Sequence, residues 1–120
     1  MTSDDAAAVA LFHSLADPNR LAIVQQLRGG ELRVRDLHET LGLAQSTVSQ
    51  HVACLRECGL VTGRVQGRQV FYSLSRPELL DLLEAAQELL AATGYQVDLC
   101  RTYGSAAAGS AEVRKRAVRS

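Results

Sequence analysis

The chain has 120 residues, is 47% hydrophobic, and balances 13 basic against 13 acidic side chains for a formal net charge of zero. That length suits one compact domain rather than two, and no apolar run approaches the ~20 residues a membrane-crossing helix needs. With no tryptophan and 4% aromatic residues, the chain offers little platform for an organic substrate.

Residues 5–16 place Ala8, Val9, Leu11, Phe12 and Leu15 on one side at helical spacing, after Asp4 and Asp5, which suit a helix N-terminus. They predict a first helix. Asp17-Pro18 then reads as a cap followed by proline at the first helical position. Leu21, Ile23, Val24 and Leu27 supply the apolar face of this second helix, and Gly29-Gly30 ends it. Val34, Leu37 and Leu41 mark a short third helix closed by Gly42. A fourth, from about Gln45 to Cys58, turns Val48, Val52 and Leu55 inward and stops at Gly59. A short helix joined by a tight turn to one that opens with small polar residues is a helix-turn-helix. Residues 60–66 and 69–74 alternate as strands around a Gly67-Arg68 reversal, predicting a β-hairpin wing. Pro77 opens a last helix reaching about Thr93. Its leucines and alanines leave only a narrow polar stripe of Asp81, Glu84 and Glu88, so it needs a second packing partner besides the core, expected to be the same helix or the first helix of another copy of the chain. The expected fold is mainly α with a small β-hairpin, a homodimeric winged helix-turn-helix. Residues 1–99 form the DNA-binding and dimerisation domain, and residues 100–120 a largely flexible tail.

The zero net charge hides strong segregation. Between Pro18 and Arg76 eight arginines face four acids, whereas Pro77 to Cys100 holds only acids, Glu78, Asp81, Glu84, Glu88 and Asp98. Nucleic-acid binding depends on where positive charge lies more than on the total. Gln45, Ser46, Thr47, Ser49 and Gln50 are short polar side chains on the first turns of the fourth helix, fit to meet base edges and phosphates in a major groove. Gln50 is the best base reader, since glutamine pairs bidentately with adenine. Ser46 and Thr47 suit either helix capping or phosphate contact. Arg64 and Arg68 on the wing would meet flanking backbone or the minor groove. The partner expected is double-stranded operator DNA.

The three cysteines are Cys54, Cys58 and Cys100. Cys54 and Cys58 are four apart on the fourth helix and so share a face, and three thiolates are a ligand set that a soft metal ion favours. The N-terminus lacks a signal peptide's basic start, so a cytoplasmic location is expected, where thiols stay reduced and an odd cysteine count favours metal binding or redox sensing. Cysteine also packs as a small hydrophobe, so Cys58, between Leu55 and Gly59, is alternatively a core residue. His51, three residues before Cys54, reads better as packing within the domain than as a ligand.

The segments Leu15-Ala16-Asp17-Pro18-Asn19-Arg20-Leu21, Val34-Arg35-Asp36-Leu37, Leu41-Gly42-Leu43, Gln45-Ser46-Thr47-Val48-Ser49-Gln50-His51 and Gly67-Arg68-Gln69-Val70-Phe71-Tyr72 together resemble the ArsR/SmtB metalloregulatory repressors, over roughly residues 11–103. The resemblance implies a homodimer that represses transcription from an imperfect palindromic operator and releases it when inducer binds. The arsenic-type site would need cysteines where Arg33 and Arg35 stand, and the zinc-type site would need histidines on the last helix, which has none. What matches is the CmtR-type, cadmium- and lead-sensing branch, which implies Cys54, Cys58 and Cys100 as ligands of Cd(II) or Pb(II), the third supplied by the other subunit. The alternatives are a repressor of the same fold that senses arsenite, oxidants or persulfides, and a winged-helix module that docks proteins. A thiol enzyme is disfavoured, because no Cys-x-x-Cys pair, Ser/His/Asp set or phosphate-cradling glycine loop is present.

Overall fold

The computed structural model describes residues 2–96, 99 and 114–115. Its elements follow the order α1 (Ser3–Leu15), α2 (Pro18–Leu27), α3 (Val34–Leu41), α4 (Gln45–Glu57), β1 (Val61–Gln66), β2 (Gln69–Leu74), α5 (Glu78–Ala92), β3 (Tyr95–Gln96) and β4 (Arg114–Lys115). The expected helices and wing are present, with ends shifted by at most two residues. The tail expectation concerns Cys100 and neighbours outside the described residues. Within that stretch, Arg114–Lys115 pair antiparallel with Tyr95–Gln96.

Local chemistry sets the helix ends. Asp17 caps α2 by accepting hydrogen bonds from the Asn19 and Arg20 N–H groups at 2.7 and 3.1 Å, and Pro18 follows where no N–H is needed. Asp36 reaches back to accept the Arg33 N–H at 2.9 Å at the start of α3. Gly42, at φ 72°, ends α3 in the left-handed conformation that lets the chain turn at once into α4.

The core lies where α2, α3, α4 and α5 meet beneath the hairpin. Ile23, Val24, Leu37, Val48 and Leu55 are fully buried, joined by Leu27, Val52, Val61, Leu79 and Leu83. Removing such a side chain costs about 2–5 kcal/mol, so this cluster dominates the stability of the domain. The hairpin is in register from Val61↔Leu74 to Gln66↔Gln69, and Gly67, at φ 64°, makes its two-residue turn. Leu32 adds a one-residue third strand: its N–H donates to the Tyr72 carbonyl at 3.0 Å and its carbonyl accepts the Tyr72 N–H at 2.8 Å. The wing is thereby fastened to the loop before α3.

The expected apolar side of α1 is only half used. Leu11 and Leu15 are partly covered, while Val9 is 54% and Phe12 58% exposed. On α5, Leu79 and Leu83 enter the core and Leu89 stays 66% exposed. Both helices thus keep large apolar side chains in solvent.

Two helix-start carboxylates impose a pH dependence. Burial raises the Asp17 carboxyl, but the Arg20 and Asn19 N–H groups and the His51 and Arg20 charges outweigh it and hold its pKa below the ordinary value. The Arg33 guanidinium, then the Arg33 N–H, holds Asp36 below its ordinary value as well. Folded values below the unfolded ones mean stabilisation that is complete above the unfolded pKa and lost as pH falls through the folded pKa. Thermal stability is expected to decline on acidification below about pH 4. Asp17→Ala should cost about 1 kcal/mol at neutral pH and shallow that decline, both measurable by thermal denaturation across pH.

Candidate functional site

The turn Gly42-Leu43-Ala44 joins α3 to α4, and the His38 ring Nδ1 bonds the Leu43 carbonyl to hold it. With Val48, Val52 and Leu55 buried on the opposite face, Gln45, Ser46, Ser49 and Gln50 are exposed and Thr47 is half-buried. Neither Ser46 nor Thr47 caps α4. The N-cap is Ala44, and among the described residues no side chain caps the first-turn N–H groups. The capping alternative is therefore replaced: the first turn keeps its donors, and the local positive end of the helix, on the same exposed surface as the polar side chains.

The two wing arginines differ. Arg64 forms a double hydrogen bond to Glu31, Nη2 to Oε1 at 2.8 Å and Nε to Oε2 at 3.0 Å, and also donates to Gln66 Oε1 at 2.9 Å. Its guanidinium lies 5.2 Å from the Phe71 ring centroid, and that of Arg33 lies 5.7 Å from the same ring. The hydrogen bonds from Arg64 hold the Glu31 carboxyl below its ordinary pKa. Arg68, in the hairpin turn, is exposed and has no side-chain partner among the described residues. A cleft lined by Arg33, Val34, Arg35, Gln69, Val70 and Tyr72 runs between the start of α3 and the wing.

At the other end of α4, Cys54 is half-buried and Cys58 exposed, both free thiols. Cys58 caps the helix in αR geometry, its N–H donating to the Cys54 carbonyl at 3.1 Å, so the two residues stand one helical turn apart. This corrects the core alternative for Cys58: Leu55 fills the interior there, and Gly59 carries the chain away before position 58 is covered. Cys58 Sγ lies 2.7 Å from the hydroxyl of Ser14, a buried residue of α1. Cys100 lies outside the described residues. Leu99 before it is held on both sides, its N–H donating to Gln87 Oε1 at 2.8 Å and its carbonyl accepting from Gln25 Nε2 at 3.1 Å.

His51 packs within the domain, its Nδ1 3.4 Å from Arg20 Nη1 and its Nε2 3.9 Å from Asp17 Oδ1. Among the described residues no three His, Cys, Asp or Glu side chains form a metal-holding group. Cys54 and Cys58 supply two soft sulfur donors, which fit a soft cation, and leave room for a third ligand from elsewhere. Sequence reasoning did not foresee that Ser14 and Arg20 meet α4 at Cys58 and His51. The available signal was a serine on the same side of α1 as Leu11 and Leu15, a polar residue where an apolar one is expected.

A helix-turn-helix with a fastened two-stranded wing and an exposed polar opening to its second helix defines a winged helix-turn-helix DNA-binding protein. A family model described as "Bacterial regulatory protein, arsR family" matches residues 17–62. The chain is 45% identical over 87 residues to the HTH-type transcriptional regulator NmtR of Mycobacterium tuberculosis, covering 72% of each. It is 42% identical over 88 residues to the HTH-type transcriptional regulator CmtR of Mycobacterium bovis, covering 72% of this chain and 75% of that one. The solved structure of HlyU from Vibrio cholerae N16961 superposes with a TM-score of 0.66 at 40% identity, covering 76% of this chain and 99% of that one. The chain belongs to the ArsR family, transcriptional regulators and not enzymes.

The different engagement of the two wing arginines gives a testable contrast. Arg64→Ala should lower the melting temperature, because it frees Glu31 and uncovers Phe71. Arg68→Ala should leave the melting temperature unchanged and reduce the salt dependence of duplex binding by about one phosphate contact, as read by fluorescence anisotropy across salt concentrations.

Proposed function

We propose that this chain is a cytoplasmic, homodimeric repressor that binds operator DNA through α4 and the wing, and releases it when Cd(II) or Pb(II) binds cysteine thiolates. The observation that carries the reading is the placement of Cys54 and Cys58 on consecutive turns of the helix whose first turns present Gln45, Ser46, Thr47, Ser49 and Gln50. Sensing and reading then share one rigid element.

Gln50, exposed on the second turn, is the proposed base-edge contact, with Ser46, Thr47 and the uncapped N–H groups directed to phosphate. Arg68 would track the flanking backbone, while Arg64 stiffens the wing through Glu31 and Phe71 and adds positive charge to the same face. The exposed Val9, Phe12 and Leu89 support a dimer in which α1 and α5 bury their remaining apolar surface against a second copy.

Cys54 and Cys58 would hold the cation with Cys100. A bound soft metal ion supplies a crosslink between thiolates. Among the described residues no histidine completes a metal-holding group with the two sulfurs, and His51 is engaged by Arg20 and Asp17; a set of thiolates alone suits a soft cation such as Cd(II) or Pb(II). Release of DNA requires the metal to prefer the form of the dimer that does not fit DNA, and a ligand joining α4 to the tail supplies that preference by moving α4 relative to the dimer helices. The exposed thiol of Cys58 supports a second reading on the same fold, sensing of arsenite, oxidants or persulfides.

Titration with Cd(II) or Pb(II) is expected to give thiolate charge-transfer absorption saturating at one metal per chain, and to weaken operator binding. Metal-driven release that persists after Cys54, Cys58 and Cys100 are all replaced by serine would refute the thiolate site. Release by persulfide or arsenite and not by cadmium would select the second reading. Gln50→Ala should cost about 1–3 kcal/mol of discrimination at one base pair of each half-site, as measured by competition with operator variants.

A further inference from the structure

The corner between α1 and α2 grips α4 at two places on one face, positions 51 and 58, which are seven residues or about 10.5 Å apart along the helix. At position 58 the grip is the Ser14 hydroxyl, 2.7 Å from Cys58 Sγ. At position 51 it is Arg20, whose Nη1 lies 3.4 Å from the imidazole Nδ1, with Asp17 Oδ1 3.9 Å from Nε2. The two grips are one structure, because Arg20 Nε donates to the Ser14 carbonyl at 2.7 Å and Arg20 Nη2 to the His13 carbonyl at 3.3 Å. Asp17 in turn accepts the Arg20 N–H. An unbroken set of polar contacts therefore runs from Cys58 through Ser14 and Arg20 to His51, the residue after Gln50.

We infer that Ser14 is the positioning residue for the Cys58 sulfur and, with Arg20, the joint through which occupation of that sulfur reaches the middle of the recognition helix. This rests on Cys58 acting as a ligand. Ser14 is 3% exposed, so its hydroxyl has little access to water and depends on protein partners. A free thiol can donate to that hydroxyl or accept from it, whereas a ligating thiolate can only accept. Metal binding at Cys58 thus fixes Ser14 as the donor and directs the sulfur's remaining lone pairs, as partners of metal ligands do elsewhere. Any displacement of the sulfur toward a metal pulls on Ser14, whose carbonyl holds Arg20 and through it His51.

The test uses the full chain, with Cd(II) alone as the probe and an operator duplex as the second readout. Ser14→Ala should weaken Cd(II) binding about 10–100-fold and alter the charge-transfer band, and Ser14→Thr should restore both. Arg20→Lys keeps the charge and loses the fork. It should bind Cd(II) as tightly as the parent while showing a smaller Cd(II)-induced loss of operator affinity. Unchanged Cd(II) affinity and spectrum in Ser14→Ala overturn the positioning role, and full coupling in Arg20→Lys overturns the joint. If Cys58→Ser leaves Cd(II) binding intact, the ligand assignment itself is wrong. The Ser14 contact is then judged in metal-free protein by the alkylation rate of Cys58 relative to Cys54: a change confined to Cys58 in Ser14→Ala sustains it, and an unchanged ratio overturns it.

Discussion

Burial of one face of α4 is the constraint on which the rest of the molecule depends. Val48, Val52 and Leu55 are at most 1% exposed, in the same buried cluster as Ile23, Val24, Leu27 and Leu37. Each such side chain gains about 1.5–3 kcal/mol from leaving water. Rotating the helix by one residue would expose those three and turn polar neighbours into the core, so its orientation about its own axis is fixed. The same burial that holds the domain together presents Gln45, Ser46, Ser49 and Gln50 outward. Any motion of α4 that keeps this core intact moves the helix as a rigid body and does not change the face it shows.

The helix is fastened differently along its flank. Its core face is held by close packing, which does not deform gradually, while its contacts with the α1–α2 corner are hydrogen bonds of Ser14, Arg20 and Asp17 to Cys58 and His51. Polar contacts of this kind can exchange partners when a proton or ligand arrives, and packed methyl groups cannot. The division places the adaptable contacts beside the thiols and leaves the exposed polar turns at the start of α4 on a rigid base.

The wing and the outer helices complete the arrangement. Leu32 pins β2 through two backbone hydrogen bonds, and the guanidinium groups of Arg33 and Arg64 both approach the Phe71 ring, each being also tied to a carboxylate. These contacts stiffen the hairpin and leave Arg68, in its turn, with no side-chain partner among the described residues. The uncovered Val9, Phe12 and Leu89 explain why two helices with ample apolar residues contribute unevenly to the core: a chain this small does not cover both sides of α1 and α5 by itself.

Much of this was legible in the sequence because the signals are local. Apolar spacing at Val48, Val52 and Leu55, the Asp17-Pro18 helix start and the Gly67-Arg68 turn each depend on near neighbours, and each identifies its element to within a residue or two. The polar opening of α4 followed from the same periodicity, and the family likeness from the short motifs at residues 15–21, 34–37, 41–43, 45–51 and 67–72. Other features depend on groups far apart in the chain. Nothing near Cys58 announces that Ser14, 44 residues earlier, will meet its sulfur, nor near Arg64 that Glu31 and Phe71 will hold it. Whether Cys58 is core or surface, whether Ser46 caps a helix, and which wing arginine is free were decided only when the chain packed. Helix and turn preferences are set by neighbouring residues, whereas contacts between side chains are set by the shape in which distant segments bury their apolar faces together.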